Sequence, residues 1–282
     1  MNLGFGFAFF ASIAFGTGDV FGGMAARRAS ALHVALLSCV AAIAVLVLAM
    51  PFIHGLPSRS DLLWGAAAGV FSTLGTILIY KALGLGPMSL ASPVLCILSL
   101  CVPVVVGVAL GERPSAIAWT GVALSVLAIP PLSITTHHEG AHPPAHVRRT
   151  LVLSIIAGLC AGGFLTCVAR IGSGAGMTPL VVSRAVAIVL TVGILVARRQ
   201  PVVPPPGSRL LSTAAGATDS SANVAYWLAT HTVPMALVAP LIALAPAVTV
   251  IIARVFLHER WSAWQKLGLV LALAAAVCIS RG

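Results

Sequence analysis

The chain has 282 residues, of which 59% are hydrophobic and only 8% charged, with a mean hydropathy of +1.08. So few charges could not cover a soluble domain, and the apolar residues come in runs of about 20, enough for a helix to cross roughly 30 Å of hydrocarbon. The runs are continuous rather than alternating, which excludes a closed barrel, and the net charge of +10 is scattered over run ends, where it orients membrane helices rather than forming a nucleic-acid surface.

Ten candidate spans follow one another, roughly at 3–24, 31–53, 62–83, 87–110, 115–135, 151–171, 178–197, 209–230, 234–257 and 262–280. The first lacks a basic leader and is interrupted by Asp19, so it is expected to remain as a permanent helix. Gly18 and Gly22 in this span, Gly65 and Gly69 in the third, and Gly158 and Gly162 in the sixth make smooth faces for close helix packing. The six cysteines, 39, 96, 101, 160, 167 and 278, all lie inside apolar runs. They read as small packing residues, with neither a disulfide framework nor metal-ligand spacing.

The fourth span opens with Pro-Met-Ser-Leu-Ala-Ser-Pro (87–93), and the ninth with Pro-Met-Ala-Leu-Val-Ala-Pro (234–240), 147 positions later. The same offset places Tyr80 on Trp227, Glu112-Arg113 on Glu259-Arg260, and Gly121 on Gly268. A fixed offset over such a stretch marks an internal duplication. The first proline of each copy suits the start of a helix. Pro93 and Pro240 fall six residues further on, cannot make their intrahelical bond, and are expected to act as bent hinges or pore walls; Pro103 and Pro246 add further breaks. Residues 137–149, rich in His and Pro, form the joint between a first five-helix repeat (1–136) and a second (150–282). With an odd number of spans in each, the second repeat enters the membrane from the opposite side. Such a 5+5 inverted-topology repeat is a recurring plan of secondary transporters.

Basic residues divide unevenly. The odd-numbered connections hold Arg27, Arg28, Lys81, Arg148, Arg149, Arg198, Arg199, Arg209, Arg254, Arg260 and Lys266, against Arg59, Arg113, Arg170 and Arg281 elsewhere. By the positive-inside rule, both termini then face outward.

Gly111-Glu112-Arg113 and His258-Glu259-Arg260 end the fourth and ninth spans. Each is followed by Trp and Gly, in Trp119-Thr120-Gly121 and Trp264-Gln265-Lys266-Leu267-Gly268, and Tyr80-Lys81-Ala82-Leu83 precedes the first copy. On these residues, over nearly its whole length, the chain resembles a ten-helix EamA-type member of the drug/metabolite transporter superfamily. The resemblance implies ten helices, transport rather than catalysis, and often cytoplasmic termini, against the charge count. Arg184 matches the family's arginine in the second helix of a repeat. Phe15-Gly16-Thr17-Gly18-Asp19 departs from the usual Trp-Gly-Ser/Thr-Asn-Phe.

Ionisable groups at bilayer depth cost several kcal/mol unless they face a cavity or a partner, which singles out Asp19, Arg184 and Asp219. Asp219, Asn223, Tyr226 and Trp227 recur at helical spacing in the eighth span, and Ser72, Thr76 and Tyr80, the repeat twins of Asp219, Asn223 and Trp227, in the third, so both sets are expected to line a cavity. Asp19 or Asp219 would bind a coupling proton or cation, and Arg184 would neutralise an anionic substrate, or the aspartates would hold a fixed pair with Arg184 or hydrogen bonds to neighbouring hydroxyls. Glu112, Arg113, Glu259 and Arg260 are expected to anchor span ends or latch a gate. His138, His142 and His146 recur every four residues, but Pro143-Pro144 break the shared face, so a solvated linker is favoured over a metal site.

The expected function is secondary transport, most naturally export, of a small organic metabolite, an amino acid or amphipathic compound, by a multi-pass cell-membrane protein. It would act as a monomer or homodimer in contact with lipid, with no cofactor, no catalytic set and no nucleotide-binding loop. The competing readings are a metal-ion or cation carrier using the His-rich linker, a non-transporting membrane scaffold and an intramembrane enzyme.

Overall fold

The computed structural model describes residues 3–85, 88–133, 144–256 and 262–281, apart from the side chains of a few helix-end residues such as Tyr80. The regular elements among them are helices: α1 (Leu3–Ala26), α2 (Ala31–Ala49), α3 (Arg59–Leu85), α4 (Met88–Ala109), α5 (Ala116–Ser133), α6 (Pro144–Ala169), α7 (Thr178–Ala197), α8 (Arg209–Thr230), α9 (Met235–Ile242), α10 (Ala245–Phe256) and α11 (Ala263–Arg281). Seven segments are long and apolar enough to cross a bilayer, including Met235–Ile252, which runs through the break between α9 and α10. Pro93–Ala109 and Ala116–Leu132 are shorter apolar helices. α8 is polar in its middle, with Thr218, Asp219, Ser220, Ser221 and Asn223 in one stretch.

Several helix starts are fixed locally. At α3, Ser58 and Asp61 cap each other: the Asp61 N–H donates to Ser58 Oγ at 3.2 Å, and the Ser58 N–H donates to Asp61 Oδ2 at 2.8 Å. Ser262 and Gln265 do the same at α11, at 3.1 and 3.0 Å. Ser115, the repeat twin of Ser262 (262 − 115 = 147), accepts the Ala118 N–H at 3.1 Å on α5.

Two elements differ from the sequence expectation. The joint expected over 137–149 is shorter, because α6 already begins at Pro144; residues 137–143 lie outside the described residues. A proline at the first helical position lacks only an N–H that would have no partner there, so it permits a helix to start. The ninth span divides at Ala243–Leu244. Pro246 has no N–H to give the Ile242 carbonyl. The Ala247 N–H reaches only the Leu244 carbonyl, at 2.9 Å. The break therefore falls before Pro246, one of the further breaks expected, while the helix runs on through Pro240. All eight residues of α9 are buried, and that packing keeps the helix intact around Pro240. Pro93 and Pro103 likewise lie inside an unbroken α4.

The helices interlock across the repeats. α1 packs on α8 and α3 on α6; α2 on α8 and α3 on α7; α1 on α9 and α10, and α6 on α4. α2 meets α7, α4 meets α9, and α5 meets α11. Exchanging α1–α5 with α6–α11 turns each of these contacts into another of the set. Individual glycines repeat the relation. A Cβ on Gly121 would lie 2.6 Å from the Ile279 side chain, and one on Gly268 would lie 2.8 Å from Leu132, the twin of Ile279. A Cβ on Gly69 would come within 2.4 Å of the Ser183 carbonyl, and one on Gly216 within 2.1 Å of the Ser38 carbonyl. These reciprocal contacts are the signature of a twofold interface, here within one chain.

The two ends of the bundle are distinct. At one, Arg28 Nη1 donates to the Gly207 carbonyl at 3.2 Å, and Thr150 Oγ1 to the Ala82 carbonyl at 3.5 Å. At the other, Gly4 abuts Thr232 and Val233, and the Gly172 N–H donates to Asp61 Oδ1 at 2.8 Å. α1 therefore starts at the end where α6 finishes.

Candidate functional site

A cavity of about 350 Å³ lies where the repeats meet. Its wall takes Phe15 and Asp19 from α1, Phe71, Ser72 and Thr76 from α3, Cys96 and Ser99 from α4, Phe164 from α6, Arg184 from α7 and Asp219 from α8. Ile242, Ala243 and Pro246 close it at the break between α9 and α10. Of the residues expected to line a cavity, the structure brings Asp19, Ser72, Thr76, Arg184 and Asp219 together here.

The polar groups are ordered by charge. Arg184 Nη2 donates to Asp219 Oδ2 at 2.6 Å. The Arg184 side chain is 9% exposed and that of Asp219 38%, so the pair presents its carboxylate to the cavity and keeps its guanidinium inside. The guanidinium carbon lies 5.8 Å from the centre of the Phe164 ring, where the ring face favours a cation. Asn223 Nδ2 holds the same Asp219 oxygen at 3.2 Å and the Asp219 carbonyl at 2.7 Å. Its twin Thr76 makes the equivalent backbone bond, donating to the Ser72 carbonyl at 2.9 Å.

Asp19 sits one residue beyond Gly18, whose close approach to Thr218 on α8 brings the two aspartates to the same cavity. Asp19 is accessible, and no hydrogen bond or ion pair reaches its carboxylate among the described residues. One guanidinium thus balances one of the two carboxylates, and an ionised Asp19 leaves the cavity with an uncompensated negative charge. A proton, a cation or a cationic group on a ligand would neutralise it.

Asn223 supports Asp219 without forming part of the cavity wall. Trp227 does not line the cavity. It is 2% exposed, and its Nε1 donates to the Ile171 carbonyl at 3.2 Å, while Tyr226 Oη donates to the Leu165 carbonyl at 3.0 Å. Helical spacing put these residues near the Asp219 face, but beyond Asn223 α8 packs on the end of α6 and leaves the cavity. Tyr80 belongs to α3, and its side chain lies outside the described residues.

The Gly111-Glu112 corner joins the repeats. Gly111 has φ +97°, a conformation open to glycine, and lets the Glu112 N–H return to the Gly107 carbonyl at 3.0 Å and the Gly111 N–H to Val108 at 3.0 Å. This turn delivers the Glu112 carboxylate to the start of α9. There Oε1 accepts the Met235 N–H at 2.9 Å and Oε2 the Ala236 N–H at 2.7 Å. A carboxylate suits the positive pole of a helix and satisfies two orphan donors. Gly107 leaves the room: a Cβ there would meet Glu112 Oε2 at 2.4 Å. Arg113 lies beside a separate hollow at the same end with Phe5, Ser115 and Arg281. Glu259, Arg260, His138 and His142 lie outside the described residues, and His146 is exposed on α6. Among the described residues no three His, Cys, Asp or Glu side chains come together as metal ligands.

Phe15, Phe71, Phe164, Cys96, Ser99 and Pro246 were not expected in the wall. The offset contains part of the signal, since Ser99 and Pro246 are twins (246 − 99 = 147) and Phe15 precedes Asp19 by one helical turn.

A model of the EamA-like transporter family matches residues 2–132 and 148–281, one copy on each repeat. No curated protein sequence matches the chain. A solved structure described only as a crystal structure of a protein superposes with a TM-score of 0.76 at 16% identity, covering 96% of this chain and 94% of the other. At that identity the likeness speaks for the fold alone.

Proposed function

The chain belongs to the EamA-like transporter family, a multi-pass membrane family of transporters, and from that premise we propose that it is a secondary transporter of small organic metabolites. Its ten spans form a 5+5 inverted repeat in the cell membrane, with α9 and α10 together making one span. The observation that carries this reading is the cavity between the repeats, with Ser72 and Asp219 at equivalent positions and Asp19 without a partner among the described residues. A packing scaffold has no use for an ionisable group without a partner at bilayer depth, where it costs several kcal/mol.

At about 350 Å³ the cavity is near the lower end of small-molecule sites, which fits a single amino acid or compact amphipathic compound. Phe15, Phe71 and Phe164 would receive an apolar part of the cargo. Asp19 would take the coupling proton or cation, or a cationic group of the cargo, and Arg184 would hold the Asp219 carboxylate in place. Alternating access would part α4 from α9 at the Glu112 cap when the cavity opens to that end. Export is the favoured direction.

Purified protein in liposomes loaded with metabolite pools tests the proposal. Efflux of at least one pool, driven by a proton or sodium gradient and lost in Asp19→Asn, is expected. A folded wild-type protein that moves no pool under any gradient would sink the transport reading.

A further inference from the structure

A separate cavity, of about 230 Å³, lies away from the central one, at the end of the bundle where α2 and α8 begin. Lys81 at the end of α3 and Arg198 at the end of α7 converge on it, with Ser30 and Gln200 at its rim. Leu32 and Ile77 make its floor, and both belong to a small apolar cluster around Leu195 beneath it. Lys81 and Arg198 are exposed, and neither side chain has a hydrogen bond or ion pair among the described residues. The described residues at this end add Arg27, Arg28, Arg148, Arg149, Arg199 and Arg209, and no carboxylate. Such a pair, unpaired and sharing one cavity, repels itself unless an anion lies between.

The walls are held in place. Arg28 is tied to the Gly207 carbonyl at 3.2 Å, and His33 Nε2 to the Pro201 carbonyl at 2.6 Å, so the turn before α2 and the connection after α7 are joined around the cavity. Ala31 and Leu32, the first residues of α2, also border it, so the start of a 19-residue helix, its positive pole, lies beside the two side chains.

We infer that this cavity binds a phosphate group, seated between Lys81 and Arg198. The apolar floor and the position at a bundle end suit the headgroup of an anionic lipid, whose chains would run down the apolar outer faces of α2 and α7. A free phosphate has the same recognising chemistry, and the test separates the two sources. Basic pockets between helices at a membrane surface are a known means of holding acidic headgroups.

The experiment uses the full chain in a neutral detergent, followed by native mass spectrometry and thermal unfolding. It is titrated with phosphatidylglycerol, phosphatidylcholine and inorganic phosphate. Phosphatidylglycerol should bind and stabilise the wild type, and phosphatidylcholine, whose phosphate is shielded by its own cation, should bind more weakly. Each cation is worth roughly five-fold, so Lys81→Ala/Arg198→Ala should weaken phosphatidylglycerol by about 25-fold. Arg148→Ala/Arg149→Ala removes equal charge from the same end and should leave binding unchanged. Inorganic phosphate that stabilises as well as phosphatidylglycerol and is lost with Lys81 and Arg198 would keep the phosphate site but overturn the lipid source. Equal loss in the two double variants, or equal binding of the two lipids, would overturn the site itself. None of these outcomes depends on transport, so the proposed function stands or falls separately.

Discussion

Removing the Glu112 carboxylate is the sharpest test of how the repeats are held together. Its oxygens accept the Met235 and Ala236 N–H groups at 2.9 and 2.7 Å, across the interface of α4 and α9. A hydrogen bond to a charged group contributes about 1.5–3 kcal/mol, and water can replace part of it at this half-buried corner. For Glu112→Ala we take about 2 kcal/mol in total, after that discount. If the contact forms only when this end is closed, the loss shifts the balance between closed and open states about 30-fold toward open. Cys96, in the cavity wall, reports it. In a protein whose other cysteines are replaced by alanine, a membrane-impermeant maleimide applied to the Glu112 end should label Cys96 markedly faster in Glu112→Ala. Glu112→Gln, which keeps one acceptor, should fall between. Unchanged labelling together with unchanged thermal stability would refute the cap as a latch. Lower stability with unchanged labelling would leave it a helix cap and nothing more.

Other outcomes follow from the packing and the charges. Asp219→Asn strands an arginine that is 9% exposed, so it should lower stability by about 2–3 kcal/mol, and Arg184→Met/Asp219→Leu should restore stability but not flux, measured by thermal unfolding and liposome uptake. Gly216→Ala drives a methyl to within 2.1 Å of the Ser38 carbonyl and should cost about 1–3 kcal/mol or the folded yield. Gly193→Ala, with nothing within 4 Å, should instead be neutral or stabilising by up to about 1 kcal/mol in the same unfolding assay. Pro246→Ala returns an N–H to the Ile242 carbonyl, so the unfolding temperature should rise while turnover in liposomes slows; a faster variant would argue against the break as a working hinge.

Much of the architecture could be read from spacing. The constant offset of 147 places Ser115 on Ser262, Gly121 on Gly268 and Ser72 on Asp219, and each pair occupies equivalent positions in the fold. The capping of α3 and α11 is local chemistry within four residues, so it needed no tertiary information. Of the prolines named as hinges or breaks, the sequence could not say which would interrupt a helix, because proline marks a lost bond but not whether the surroundings hold the helix. Buried α9 tolerates Pro240, and the chain yields before Pro246.

The site was legible only as a set of candidates. Sequence alone determined that the chain is apolar, doubled and helical, and singled out Asp19, Arg184 and Asp219 as costly at depth unless they face a cavity or a partner. It could not choose among them, because spacing fixes which side chains share a helix face but not what that face meets. Glycine contacts made that choice by setting how close the helices come: Gly18 brings α1 against α8 beside Asp219, and Gly69 and Gly216 seat α3 and α8 on α7 and α2. The tertiary structure then gave Arg184 to Asp219, left Asp19 open to the cavity, buried Trp227 against α6, and carried Glu112 across to the first turn of α9.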